Sequence, residues 1–232
     1  MSNFVINPYS FTSTPEWSWE SDLTSADGWT SSDISEIFVD EDNDRLTWQV
    51  SRGSNDSISF DLETELGESV SDSEWVLRFK TQWNQFVSSA QNQQWFGLSS
   101  EDYATDSQTA QYFIGFMTAY FTASANGTFR SSEAYNTSLP SDGDIGLSPA
   151  RSTDTDYFYE IKRTSTTTFE LSVSSTDEYT KDIVSAQVIT IVGTLQNLRY
   201  LKLVNENAGS GGDGTISQTA TFQFINNTST PP

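Results

Sequence analysis

Residues 157–174, YFYEIKRTSTTTFELSVS, constrain the fold more than any other stretch of the chain. Phe169, Leu171 and Val173 alternate with Thr168, Glu170 and Ser172, which puts an apolar set on one face of a pleated strand and a polar set on the other. Upstream, Tyr157, Tyr159 and Ile161 alternate in the same way with Phe158, Glu160 and Lys162. The linking residues 163–167 are polar and read as a turn outside the core, so the stretch reads as a β-hairpin.

The same signature recurs at residues 36–39, 46–50, 58–62, 75–83, 95–98, 112–121, 128–130, 184–192, 198–204 and 215–225. In 75–83, Trp75, Leu77, Phe79, Thr81 and Trp83 share one face, while Val76, Arg78, Lys80 and Gln82 share the other. In 112–121 both alternating sets are largely apolar, Phe113, Met117 and Phe121 against Ile114, Phe116 and Tyr120, as in a strand covered on both sides. No window carries a sustained 3.6-residue apolar stripe. The spacing predicts an all-β protein, an antiparallel two-sheet β-sandwich, with loops at 126–149 and 205–214. Three regions follow: an extended N-terminal arm over 1–21, the sandwich over 22–226 and a tail over 227–232. The arm carries Phe4, Tyr9, Phe11, Trp17 and Trp19; it lies against the domain or a neighbouring subunit, or forms a first edge strand of the same domain.

At 232 residues the chain can bury roughly 70% of its unfolded surface. With no cysteine, disulfides, iron–sulfur clusters and thiolate chemistry are excluded. The absence of histidine removes the Ser-His-Asp triad and the usual zinc ligand. A formal net charge of -21 repels phosphate backbones and anionic headgroups, so nucleic acid is not an expected partner. The first residues lack a basic region followed by an apolar one, and no segment approaches ~18 consecutive apolar residues, so neither a secretion leader nor a membrane insertion is expected.

The segments EWVLRFKTQW, QWFGLSS, the hairpin above, NLRYLKLVNEN and GTISQTATFQFIN together resemble the concanavalin A-like lectin/glucanase jelly roll. More narrowly they are similar to the laminin G-like domains of surface and virion proteins of marine microbes and their viruses. The resemblance spans about residues 22–226. In one respect the chain departs from it: Ser217 follows Ile216 where the resemblance implies an acidic residue. It also implies, for a glucanase, paired carboxylates in an E-x-D-x-x-E pattern on one strand. Glu36 and Asp40 share a face but lack the third acid, and Glu63 and Glu65 fall at a strand end. Catalysis is therefore not expected.

Asp40, Asp42 and Asp44 form a D-x-D-x-D run that offers hard oxygens to calcium, but Arg45 stands where a calcium loop needs glycine. A β-turn in which the Asp and Asn side chains bond their own backbone is the favoured alternative. Sugar binding needs an aromatic platform with planar polar groups beside it. Trp83, Trp95, Asp102, Tyr103 and Tyr112 are the candidate ligand-binding residues on that ground, set against ordinary core or rim packing. Asn55, Asn126, Asn136, Asn226 and Asn227 open N-x-[ST] sequences, as chance provides in so Asn/Ser/Thr-rich a chain.

The expectation that follows is a non-enzymatic structural or decorating protein at a virion surface, assembled with other structural subunits, with glycan recognition at its exposed loops. It has no required cofactor, calcium being the one ion the residues would suit. A lectin-like module of a cell-surface protein is the alternative, and a glycoside hydrolase ranks third.

Overall fold

The computed structural model describes residues 17–50, 56–85, 92–102, 113–120, 128–132, 152–190, 195–207 and 215–226. The strands in chain order are β1 (Trp19–Ser21), β2 (Trp29–Ser31), β3 (Ile37–Asp40), β4 (Arg45–Val50), β5 (Ser57–Asp61), β6 (Trp75–Gln85), β7 (Asn92–Ser99), β8 (Phe113–Tyr120), β9 (Thr128–Ser132), β10 (Asp156–Arg163), β11 (Thr168–Ser174), β12 (Val184–Thr190), β13 (Tyr200–Asn207) and β14 (Thr215–Asn226). An eight-stranded sheet runs β12-β11-β10-β6-β14-β4-β3, with β1 also paired to β14, and a six-stranded sheet runs β2-β5-β13-β7-β8-β9. Every pairing is antiparallel.

The alternation read from the sequence sets which faces meet. Phe79 and Tyr159 of the larger sheet stack 5.2 Å apart, and both meet the edge of Phe96 from the smaller sheet, at 5.0 and 5.2 Å. Trp48, Trp75, Trp83, Phe116 and Phe169 are fully buried around them. Each such side chain contributes on the order of 2–3 kcal/mol through removal from water, so the shared interior holds the sheets together.

The antiparallel pair β7 and β8 places two glycines opposite one another, Gly97 and Gly115. A Cβ on Gly97 would stand 2.0 Å from the Ile114 carbonyl oxygen, so only glycine allows the two backbones to approach this closely.

β14 changes neighbours along its length. Thr215–Thr219 pair with β4, whereas Phe222–Phe224 pair with β1. Between them the register against β6 shifts, and Thr221 takes φ +55°, a left-handed conformation unusual for a β-branched residue.

Four expectations are corrected. Trp19 is not free for assembly: it sits in β1 with its ring stacked 4.7 Å from Phe60 in the core, so the sandwich begins before residue 22. Trp83 is not an exposed platform, because its parity in β6 turns it inward, fully buried, against the edges of Tyr157 and Tyr159. The stretch after β5 is one helical turn, α1 (Leu62–Leu66), capped by Asp61, whose side chain accepts from Thr64 N, and closed by Gly67. Arg163 is not a solvated turn residue. Continuing the inward parity of β10, it is fully buried and donates to the carbonyls of Leu195 at 2.6 Å, Thr166 at 3.0 Å and Ser165 at 3.1 Å.

Candidate glycan-binding face

The outward residues of β6 and β10 lie opposite one another, and their rows extend across the larger sheet. Gln82 faces Asp156 and Gln218; Lys80 faces Phe158 and Ala220; Arg78 faces Glu160 and Gln223; Val76 faces Lys162 and Ile225. On β11, Ser174, Ser172 and Glu170 continue the rows of Phe158, Glu160 and Lys162, and Val188 of β12 lies opposite Glu170. Cross-strand neighbours about 5 Å apart are within bonding reach, and here the bonds form.

Asn84 Nδ2 donates to Gln82 Oε1 at 2.9 Å and to Asp154 Oδ1 at 3.3 Å. Gln82 Nε2 donates to Asp156 Oδ1 at 3.2 Å, and Lys80 Nζ stands 3.3 Å from Asp156 Oδ2. This chain of amide, carboxylate and ammonium groups runs beside Phe158, which is half-buried. A sugar ring needs the same combination: an aromatic surface for its C–H face and fixed donors and acceptors for its hydroxyls.

One end of the face is roofed. Residues 175–183, between β11 and β12, fold back over it, with Tyr179 at φ +52° and Lys181 at φ +60°. Asp182 holds the turn by accepting from Ser175 N at 2.9 Å and Thr180 Oγ1 at 2.8 Å, and bonds to Ser175 and Thr180 keep its carboxyl well below the usual carboxylate range. The turn brings the Tyr179 ring to 4.2 Å from Arg78 Cζ and Lys181 Nζ to 3.1 Å from Glu160 Oε1. Arg78 Nη2 stands 2.6 Å from Glu160 Oε2, so this buried carboxylate is held between two cations. Trp17 completes the surround, its ring centroid 5.2 Å from Arg78 Cζ. Burial lifts the Tyr179 phenol above its ordinary range, with the Arg78 charge opposing.

The sequence-predicted ligand set is divided by the fold. Trp95 lies on β7 of the opposite sheet, at the register position facing Val204 and Met117. Asp102 follows β7, exposed, and accepts a hydrogen bond from Ser59 Oγ. Tyr103 and Tyr112 lie outside the described residues, as do Phe4, Tyr9 and Phe11 of the arm. The sequence reading missed the face formed by Lys80, Gln82, Asn84, Asp156 and Phe158 as a site. Its signal is the polar half of the alternation in β6 and β10.

The D-x-D-x-D run does not fit a metal. Both Asp40 carboxylate oxygens accept from Asn43 Nδ2 at 2.9 Å, and Oδ2 also bonds Arg45 Nε at 3.1 Å. Asp44 takes φ +50° at the end of the short 3-10 turn Glu41–Asn43. Among the described residues no three acidic groups converge as metal ligands. Asn226 is likewise spent: its amide donates to Glu68 Oε1 and the Ser69 carbonyl, and accepts from Ser71 N.

No family model and no curated protein matches the chain. Solved structures do match in fold. The CBM2 module of the evolved Dit protein of Lactobacillus casei BL23 phage J-1 aligns at TM-score 0.60 and 9% identity, over 91% of this chain and 96% of that one. The carbohydrate recognition domain of Emp47p aligns at 0.57 and 9%, over 90% and 95%. The alginate lyase Aly36B aligns at 0.53 and 13%, over 89% and 88%. The chain therefore has the concanavalin A-like lectin jelly-roll fold, shared by carbohydrate-binding domains and by some carbohydrate-active enzymes. At these identities the likeness is one of fold.

Proposed function

We propose that this chain is a non-enzymatic surface module of a virion that holds glycan on the outer face of its eight-stranded sheet. The observation that carries the reading is the bonded chain Asn84–Gln82–Asp156–Lys80 beside Phe158, an aromatic surface with fixed polar partners. Its carboxylates are occupied by donors, Asp156 by Gln82 and Lys80 and Glu160 by Arg78 and Lys181, which suits holding a ligand rather than transforming it. The phage Dit module and the Emp47p domain are carbohydrate-binding by name and lend the fold to that use. The aromatic arm starts at the margin of this face, where Trp17 meets Arg78, and its earlier aromatics would dock on a neighbouring structural subunit.

A glycan array with the purified chain tests the reading. It should give hits that weaken by about five- to thirtyfold for Gln82→Ala, since lost bonds to polar ligand groups cost about 1–2 kcal/mol. Trp95→Ala separates this face from the opposite sheet. A blank array, or shortening or deacylation of any bound glycan, contradicts the proposal. Peptides of the chain should also appear in purified particles.

A further inference from the structure

Phe158 and Asp156 stand two residues apart on β10 and so share its outer face. There the Asp156 carboxylate accepts from the Gln82 amide at 3.2 Å and lies 3.3 Å from the Lys80 ammonium. Strand β3, across the same sheet, presents a matching set. Phe38 and Asp40 are again two residues apart on the outer face, since Ile37 is buried in the core and Val39 packs against it. The Asp40 carboxylate accepts from the Asn43 amide at 2.9 Å and from Arg45 Nε at 3.1 Å. Each unit therefore sets a half-buried phenyl ring beside a carboxylate fixed by one amide and one cation. A single half-exposed phenylalanine on a surface is ordinary. A second one in the same polar company is not.

The register links the two units. Asp156 lies opposite Gln82, Gln82 opposite Gln218, Gln218 opposite Thr47 and Thr47 opposite Phe38. This row crosses β10, β6, β14, β4 and β3, a span of about 19 Å at the usual strand spacing of about 4.8 Å. Between Asp156 and Phe38 its residues are amides and a hydroxyl, with no charge. The roof does not close the row, because Tyr179 meets Arg78, which is two outward positions along β6 from Gln82.

We infer that Phe38, Asp40, Asn43 and Arg45 form a second sugar subsite, and that the ligand of this sheet is an uncharged linear glycan lying across the strands and long enough to rest on both phenyl rings. This extends the reading that Phe158 and Gln82 hold glycan, rests on it, and adds the length and direction of the bound chain. Each phenyl ring takes the C–H face of one sugar, and the fixed amide, carboxylate and cation beside it take that sugar's hydroxyls. The Phe158 unit, with Asn84 added to its polar chain, is the anchor. Once it is filled, the Phe38 unit meets the rest of the same chain at high effective concentration, so a contact too weak to act alone adds to the affinity. A polyanionic glycan would be repelled by the charge of -21, whereas an uncharged one is not.

Calorimetric titration of a length series of the array-selected glycan, from disaccharide to octasaccharide, into the full chain tests the second subsite. Affinity should climb with length until the glycan spans both rings and then level off. Phe38→Ala should weaken binding of the longest member roughly three- to tenfold and leave the shortest unchanged, while Phe158→Ala weakens both. Should Phe38→Ala misfold, the wild type decides: the backbone amide resonances of residues 38–40 should shift on adding the longest member. Affinity that does not depend on length, or residues 38–40 that do not respond to the longest member, overturns the second subsite and leaves the Phe158 site standing. Absence of binding at every length, or binding of the shortest member that Phe158→Ala does not weaken, overturns both.

Discussion

Arg78 Cζ stands 4.2 Å from the centroid of the Tyr179 ring, and through this contact the loop 175–183 is pinned to the outer face of β6. The same ring roofs Glu160, which keeps two cations within 3.1 Å. Tyr179→Ala removes the cation–π contact and wets the carboxylate, and should cost about 1–2 kcal/mol in urea unfolding, whereas Tyr179→Phe should stay within about 0.5 kcal/mol of wild type. Because burial raises the phenol, native wild type and Tyr179→Phe should release the same number of tyrosine protons in an alkaline absorbance titration short of unfolding.

Arg163 is the structural counterpart at the other end of β10. Its guanidinium serves three carbonyls while its burial lowers its pKa to about 10, with the Asp72 charge 3.9 Å away opposing. Arg163→Met keeps much of the volume but strands those carbonyls, and should destabilise by about 2–4 kcal/mol. Arg163→Lys should recover little, since one ammonium cannot reach all three. Urea midpoints for both variants check this.

Asp61 caps α1 and pairs with Arg199, whose Nε bonds Oδ1 at 2.8 Å. These bonds, that to Arg199 foremost, hold the carboxyl at about 2 against an ordinary 3.8. A folded-state value below the unfolded one means stability that is fully present above about 4 and is lost as pH falls toward about 2. Wild type should therefore exceed Asp61→Asn in stability at pH 6 by about 1 kcal/mol or more, with the gap narrowing below pH 4 and closing only as pH falls through about 2. Comparing the two chains isolates this group from the relief of overall negative charge in acid.

Thr221 is exposed and takes φ +55° where β14 leaves β4 for β1. A β-branched side chain in that region costs about 1–2 kcal/mol, partly offset in glycine by the freer unfolded chain. Thr221→Gly should raise stability by up to about 1 kcal/mol, read as a higher Tm with the fold unchanged.

The sandwich was legible because period-two alternation survives in β6, β10 and β11, where one face is core and the other polar. β2 is illegible because three residues carry no period, and β1 is legible only as the edge-strand alternative for residues 1–21, without its bounds. The turn α1 escaped because five residues show no helical stripe, although the Asp61 and Gly67 caps that bound it stand in the sequence. Arg163 looks like a turn residue by polarity, but its parity with Tyr157, Tyr159 and Ile161 places it inward. The candidate face was only half legible: the outward set Arg78, Lys80 and Gln82 was visible, but not the roof. A loop without glycine gives no sign that Tyr179 and Lys181 adopt left-handed backbone and return to the sheet.

On the proposed function, Phe158 and the amide–carboxylate chain beside it hold a glycan. Calorimetric titration of an array-selected oligosaccharide into wild type, Phe158→Ala, Gln82→Ala and Trp95→Ala tests it most directly. Phe158→Ala and Gln82→Ala should each lose about tenfold in affinity, equal to about 1.4 kcal/mol, while Trp95→Ala keeps wild-type affinity. Undiminished binding by Phe158→Ala and Gln82→Ala, with loss in Trp95→Ala, would move the site to the opposite sheet and contradict it.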